Sequence, residues 1–390
     1  MAANDQAARR WCVGIALSYW LAFGLACLLN WARPGMSFDL IPYLGLTAAT
    51  DVTNDREVQA SAYEELHKVA DPQQWSELTE HNAYVQQMKT DPSLFSRDLG
   101  DYRIKWGYVG LARALSWWVA PYTALRVITL ASLVIFLGAT IYLLWSSNTL
   151  QSLFFIGPVL MAGGINYDVG STTPDVLGLA LAALLLIGWL RRLSLLVVLL
   201  SVCCVAVRPD MIFLIAGIFA ASILFGRNRV QAGLALLCSA ILFAGERFAT
   251  PYAGWWQHVS VPLYGSTAVI SGAPPFSLSG YIAAWLWQLM RIAATGTYLY
   301  VIILLLLAYV GLSKRSTSPT EPYDIVFYGA VIGLIGRMIA FPTIEPRFFL
   351  PTLFIMSVLL ADRLRPDFSK GMAFAIAAIR RRVTPIREGS

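Results

Sequence analysis

Histidine and cysteine are scarce in this chain, and neither is placed for metal or disulfide chemistry. The three histidines, His67, His81 and His258, are isolated from one another. All five cysteines (Cys12, Cys27, Cys203, Cys204 and Cys238) lie in apolar stretches, where a small polarizable side chain packs well. No CxxC or Cys/His spacing occurs, which argues against a structural zinc site and a disulfide framework. DxD, HExxH and GxSxG are absent too, so metal-site and serine-hydrolase readings lack their usual patterns. Charge is also low. Only 13% of the residues are charged, against roughly a quarter in an average soluble domain, and that deficit argues against an ordinary soluble protein.

What fills the chain instead is hydrophobic: 57% of 390 residues, with a mean hydropathy of +0.61. Apolar stretches of about 17–25 residues, the length a helix needs to cross roughly 30 Å of hydrocarbon, recur along it. The expected fold is an all-α polytopic membrane protein of about ten transmembrane helices. A net charge of +6 does not point to nucleic acid, because the basic residues fall at span ends, where lipid headgroups and topology account for them.

Arg9 and Arg10 precede the first span, Trp11–Trp31, which has no small-x-small cleavage site after it and reads as an uncleaved crossing. The positive-inside rule places that N-terminus in the cytoplasm. Further spans are expected at about Ala124–Trp145, Leu153–Ile165, Asp175–Leu190, Leu193–Val207, Met211–Phe225, Val230–Leu242, Ile292–Leu312, Ile325–Phe341 and Phe348–Ala361. Basic clusters at Arg191/Arg192, Arg227/Arg229, Lys314/Arg315 and Arg363/Arg365 all fall on the cytoplasmic side of this scheme. The expected organisation is a bundle over residues 1–365 and a basic cytoplasmic tail over 366–390. Two outer loops interrupt the bundle, at 32–107 and 249–280.

The first outer loop is a polar island that holds 12 of the chain's 23 acidic residues. Val58, Ala62, Leu66 and Val69 recur at helical spacing, and Trp75, Leu78, Val85 and Met88 do so more loosely. Asp71-Pro72 and Asp91-Pro92 are helix starts, each an N-cap acid before a first-turn proline. These helices, and another over Trp106–Trp118, are expected to lie on the membrane face with their apolar sides down.

Sorting the charges by face gathers Asp39, Arg103, Lys105, Asp168, Asp175, Arg208, Asp210, Glu246, Arg247, Glu345 and Arg347 on the outer side, many at span ends. Charges there are costly unless paired, wetted or functional. Arginines that bind phosphate bidentately, set beside a carboxylate that can accept a proton, suit a phosphate-bearing substrate attacked by a hydroxyl. Each has a structural reading as well: Asp39 and Asp175 as helix starts, Arg208-Pro209-Asp210 as a tight turn, Arg103 and Arg347 as interface anchors, Glu246-Arg247 as a local pair.

Four stretches resemble the GT-C class of integral-membrane glycosyltransferases. They are Phe38-Asp39-Leu40-Ile41-Pro42-Tyr43 behind the first span, and Asp101-Tyr102-Arg103-Ile104-Lys105-Trp106 with Leu111-Ala112-Arg113 beyond, similar to a "YR-x-x-x-x-P-x-L-A-R" stretch. The others are Thr173-Pro174-Asp175-Val176-Leu177 with Arg208-Pro209-Asp210, and Glu345-Pro346-Arg347-Phe348, similar to "E-x-R-[FY]". The proline expected after Tyr-Arg is missing around Gly107-Tyr108, and no second acid adjoins Asp39, which argues against members that need a metal there.

The resemblance implies an inverting transfer of a sugar from a polyprenyl-phosphate donor to a glycan, lipid or protein acceptor. Asp39 would be the general base. Arg103, Lys105, Arg208, Asp210, Glu345 and Arg347 would form the substrate site. No cofactor is implied, though a divalent metal stays open. Trp255, Trp256 and Tyr264 are candidates to stack on sugar or prenyl chain, or plain interfacial anchors. The absence of asparagine-linked sequons and the Ala/Leu/Arg/Trp-rich composition lean toward a bacterial inner membrane with a periplasmic site. The alternatives are a polysaccharide polymerase or ligase, a transporter, for which Arg337 is the one deep charge, and a non-enzymatic assembly protein.

Overall fold

The computed structural model describes residues 2–226, 228–250, 255–264, 274–313, 321–341 and 345–364. The tail expected over 366–390 lies outside the described residues, as do Arg227, Lys314, Arg315 and much of the second outer loop. The described residues are helical throughout, with no strand among them. The helices are α1 (Ala2–Ala32), α2 (Leu40–Ala48), α3 (Asp55–Val69), α4 (Pro72–Thr79), α5 (Ala83–Thr90), α6 (Pro92–Arg103), α7 (Trp106–Ser116) and α8 (Pro121–Ser146). They continue as α9 (Leu153–Ala162), α10 (Ile165–Gly170), α11 (Asp175–Leu190), α12 (Ser194–Val207), α13 (Met211–Phe225), α14 (Arg229–Ala249) and α15 (Trp255–Tyr264). The last are α16 (Leu278–Thr295), α17 (Thr297–Ser313), α18 (Glu321–Ala340) and α19, residues 350–364.

Four of them hold stretches long and apolar enough to cross a membrane: Arg10–Ala32, Pro121–Ser146, Arg229–Ala249 and Tyr323–Ala340. Five shorter apolar stretches, among them Asp175–Leu190, Ser194–Val207 and Met211–Phe225, have 10–17 residues. At about 1.5 Å per residue, these fall short of roughly 30 Å of hydrocarbon when straight and upright. Where one span was expected over Ile292–Leu312, the helix breaks at Gly296, whose carbonyl accepts from the Leu299 amide (3.0 Å) and starts α17 afresh. Glycine at a junction gives up little, since it is the least helix-favouring residue but proline.

The loop helices differ from the expected layer on a membrane face. Their apolar sides turn on one another: Val58, Ala62, Leu66, Met88, Phe95 and Leu99 are buried together around α2. The core they form also takes in Leu125 and Ile128 of α8 and Val207 of α12, which fixes the island to the bundle. Burying apolar surface in a shared core removes it from water without needing lipid. Exposed aromatic surface persists around α7, at Trp106, Trp117 and Trp118, a pattern suited to a membrane interface.

Local signals behave as their chemistry dictates. Asp71 forms a capping box with Gln74, with proline at the first turn of α4. Asp91 accepts from the Ser93 and Leu94 amides to start α6. The loosely periodic Trp75–Met88 stretch is two helices, because Asn82 accepts from the Val85 amide (3.1 Å) and restarts the chain as α5.

One close crossing sets the far half of the bundle. Gly217 of α13 meets Gly329 and Gly333 of α18 backbone to backbone, and a methyl on any of the three would overlap the facing helix. Glycines four apart let membrane helices approach this closely. As a result, α13, which follows Asp210, lies against α18, which precedes Glu345 and Arg347.

Candidate functional site

Asp39 occupies the N-cap position of α2, yet its carboxylate makes no capping bond. One oxygen, Oδ1, accepts from the Tyr102 hydroxyl at 2.7 Å. The other, Oδ2, accepts from Arg347 Nη1, across 308 residues of sequence. The structural reading of Asp39 as a helix cap therefore fails at the side chain. Burial of α2 holds it in place, since Leu40 through Thr47 are all buried. Tyr43, one turn on, packs edge-on against Tyr102 and Tyr108, with ring centroids 5.1 Å apart in each pair. Tyr108 in turn donates to the Thr172 carbonyl at 2.8 Å, which ties α7 to the turn before α11. Arg113 donates to the carbonyls of Leu46 (3.0 Å) and Ala49 (2.7 Å) and so caps the C-terminal end of α2, a favourable place for a cation.

Arg347 sits in the short turn Pro346–Phe348. Besides Asp39 it bonds Glu345 Oε2 through Nε at 2.5 Å, and Asp175 Oδ2 lies 4.0 Å from Nη1. Beneath it, Arg208 is 3% exposed and engaged on several sides. It grips Asp210 with two nitrogens (3.2 and 2.8 Å), pairs with Asp175, and donates to the Arg347 carbonyl at 3.3 Å. Asp210 also faces Arg337 at 3.6 Å. Arg208 and Asp210, expected to touch substrate, thus brace the backbone that presents Arg347. The buried charges are mutually compensated, which is the condition for holding them out of water.

Lys105 lies over the rings of Tyr102 (4.8 Å) and Tyr43 (5.4 Å). Its ammonium makes no ion pair or hydrogen bond among the described residues. Burial pulls its pKa below the usual lysine range, with Arg347 adding to the effect and Asp39 and Asp175 opposing it. For Asp39, burial acts to raise the carboxyl, but the charges of Arg347 and Lys105 and the bonds from Arg347 and Tyr102 outweigh it. The group is held below the ordinary carboxylate range. The Tyr102 hydroxyl is driven well up, by burial first and then by the charge of Asp39, so it stays protonated at neutral pH and donates to the carboxylate.

A cavity of about 420 Å³ opens on this cluster, lined by Ser37, Phe38, Asp39, Gly164, Tyr167, Asp168, Glu345, Pro346 and Arg347. Its size falls in the range of small-molecule sites. Gly164 has φ of +87°, a left-handed conformation that favours glycine, and it turns the chain between α9 and α10 so that Tyr167 and Asp168 reach the cavity wall. Asp168 is 1% exposed, and its Oδ2 has no hydrogen-bond partner. Burial, with the Asp175 charge added, pushes its carboxyl well above the ordinary value. Sequence marks Asp168 only as one of several outer acids. Its place on the cavity comes from the Gly163-Gly164 turn, whose geometry is not written in spacing.

Of the residues singled out from sequence, Asp39, Lys105, Glu345 and Arg347 meet at this cluster, with Arg208 and Asp210 behind them. Arg103 does not join them. Its guanidinium pairs with Asp55 Oδ1 at 2.7 Å and with the Val52 carbonyl, bracing α6 against the start of α3. Trp256 donates to the Pro274 carbonyl at 2.7 Å, and both it and Trp255 pack on Phe276. The side chain of Tyr264 lies outside the described residues.

Fold and site together define a helical membrane protein with a charged, cavity-lining cluster at the loop-bearing end of its bundle. Comparison with protein-family models, curated proteins and solved structures found no match to this chain.

Proposed function

We propose that this chain is a membrane glycosyltransferase of the GT-C kind, which moves a sugar from a polyprenyl-phosphate donor to an acceptor hydroxyl. The observation that carries the reading is the junction of Asp39 with Arg347 at one cavity, from opposite ends of the sequence. An in-line displacement needs a carboxylate for the incoming hydroxyl and a cation for the outgoing phosphate on opposite faces of the anomeric carbon, so this resting pair parts to admit the sugar between them.

In the proposed reaction the acceptor oxygen attacks the anomeric carbon as its proton passes to Asp39. The bond from that carbon to the phosphate oxygen breaks, and the electron pair leaves on the lipid phosphate. Arg347, with the unengaged ammonium of Lys105, stabilises that developing charge. The resting pair keeps Asp39 a weak base. Donor phosphate competes for Arg347, and engaging it loosens the hold on the carboxylate and raises its basicity when the donor is present. Glu345 holds the guanidinium through Nε, and Arg208 braces the backbone carbonyl of Arg347.

The wider setting of the proposal is ten crossings of a bacterial inner membrane, with both termini cytoplasmic and the site periplasmic. The acceptor is a glycan, lipid or protein of the cell envelope. Deletion of the gene is expected to leave polyprenyl-phosphate sugar accumulated and an envelope glycan missing its residue, both read by mass spectrometry. Glycan loss without that accumulation would favour an assembly role.

A further inference from the structure

At the other end of the bundle, a groove of about 600 Å³ opens between α12 and α14. Chain direction places it there: α12 ends at Val207 beside the braced Arg208 and begins at Ser194, while α14 starts at Arg229 after α13 returns from the site. Its walls are Leu195, Val198, Val230, Leu234 and Cys238, and its polar end is Ser194, Asn228, Arg229 and Gln231. No acidic residue lines it.

We propose that this groove binds an anionic phospholipid, headgroup phosphate at the start of α14 and acyl chain along the apolar walls. Four observations converge. Gln231 is 8% exposed, and its Oε1 accepts from the Ser194 hydroxyl at 3.1 Å, whereas its Nε2 has no partner. A buried donor left unpaired costs free energy, which an acceptor at the groove's polar end removes once the amide turns toward it. Second, Asn228 sits at the N-cap of α14 without making a side-chain cap bond, so the first-turn amides remain open to an anion.

Third, Arg229 adds a fixed positive charge at the same rim, and Arg191 and Arg192 stand exposed on the turn just before α12. Basic pockets between membrane helices suit acidic headgroups. Fourth, Leu195 and Leu234 are 73% and 50% exposed along the groove wall, which gives an acyl chain apolar surface continuous with the polar end. A free phosphate would use the polar end alone and leave that wall bare. The inference rests on the membrane setting of the helices and not on the glycosyltransferase reading.

The test uses the full chain purified in a neutral detergent. Native mass spectrometry and thermal unfolding are followed with dioleoyl-phosphatidylglycerol, dioleoyl-phosphatidylcholine, or glycerol phosphate added. Phosphatidylglycerol is expected to stay bound and raise the unfolding temperature more than phosphatidylcholine, with glycerol phosphate giving no rise. Losing one charge-assisted bond is expected to weaken phosphatidylglycerol binding roughly tenfold or more in Arg229→Gln and in Gln231→Leu. Arg229 is exposed, so the first variant keeps the fold even if the second does not. Equal binding of the two lipids, unchanged retention in Arg229→Gln, or an equal shift from glycerol phosphate would overturn the proposal.

Discussion

Replacing Arg347 by glutamine should leave Asp39 ionised in a half-buried site without its main counter-charge. Removing one partner of a fully buried ion pair costs about 3–5 kcal/mol, and of an exposed pair about 0–1 kcal/mol. Here the two side chains are 21% and 22% exposed, and Tyr102 and Lys105 still face the carboxylate. An intermediate loss of about 1–3 kcal/mol follows. Adding Asp39→Asn to the glutamine variant should recover most of it, because the uncompensated charge is then gone.

The sign of the pH dependence is fixed too. In the wild type the carboxyl is depressed, so its stabilisation is present above the ordinary carboxylate range and fades as pH falls below about 4. In the glutamine variant burial is no longer opposed by Arg347, the carboxyl rises, and the penalty grows toward neutral pH. The gap between the two proteins is therefore widest near pH 7 and closes toward pH 3, as followed by thermal unfolding in detergent. A double variant no more stable than Arg347→Gln alone would refute the reasoning.

Three further outcomes are expected. Tyr102→Phe removes the hydroxyl that donates to Asp39 at 2.7 Å; the carboxyl rises, and the acid limb of the transfer-rate profile shifts to higher pH. Gly164→Ala puts a side chain at φ of +87°, with its Cβ only 3.3 Å from Pro346. It should cost about 1–2 kcal/mol of unfolding free energy from backbone conformation alone and lower transfer by displacing Arg347. Asp168→Asn replaces a carboxyl whose raised pKa penalises the fold between the unfolded and folded values. The variant should therefore gain on wild type as pH rises above the ordinary carboxylate range of about 4, and parallel stability curves would mean that Asp168 is already an ordinary carboxylate.

Several elements were legible in the sequence for local reasons. Asp-Pro pairs start helices through capping and proline's fixed φ, and α4 and α6 begin where Asp71-Pro72 and Asp91-Pro92 put them. Apolar runs located the bundle helices because burial in lipid or core demands the same residues. Periodicity says which side of a loop helix is apolar but not what covers it. Periodicity alone therefore reads the island's helices as interfacial, whereas α2 lies at the centre of the core they share. Charge at span ends placed Asp39, Lys105 and Arg347 at one level, and only tertiary packing separates them from Arg103, which pairs with Asp55. The glycine contact of α13 with α18 has the same character: Gly329 and Gly333 are visible in sequence, but their partner Gly217 is not.

The most direct measurement is sugar transfer by the Asp39→Asn variant, in membranes and after purification, with a radiolabelled polyprenyl-phosphate-sugar donor. Asparagine keeps the size of the side chain and a carbonyl for the Tyr102 hydroxyl, but it cannot take the acceptor's proton. The expected result is normal insertion, a modest loss of stability because Glu345 and Asp175 still face Arg347, retained donor binding and loss of transfer by at least about 100-fold, the range general-base catalysis supplies. Transfer at the wild-type rate in that variant would contradict the assignment of Asp39 as the base.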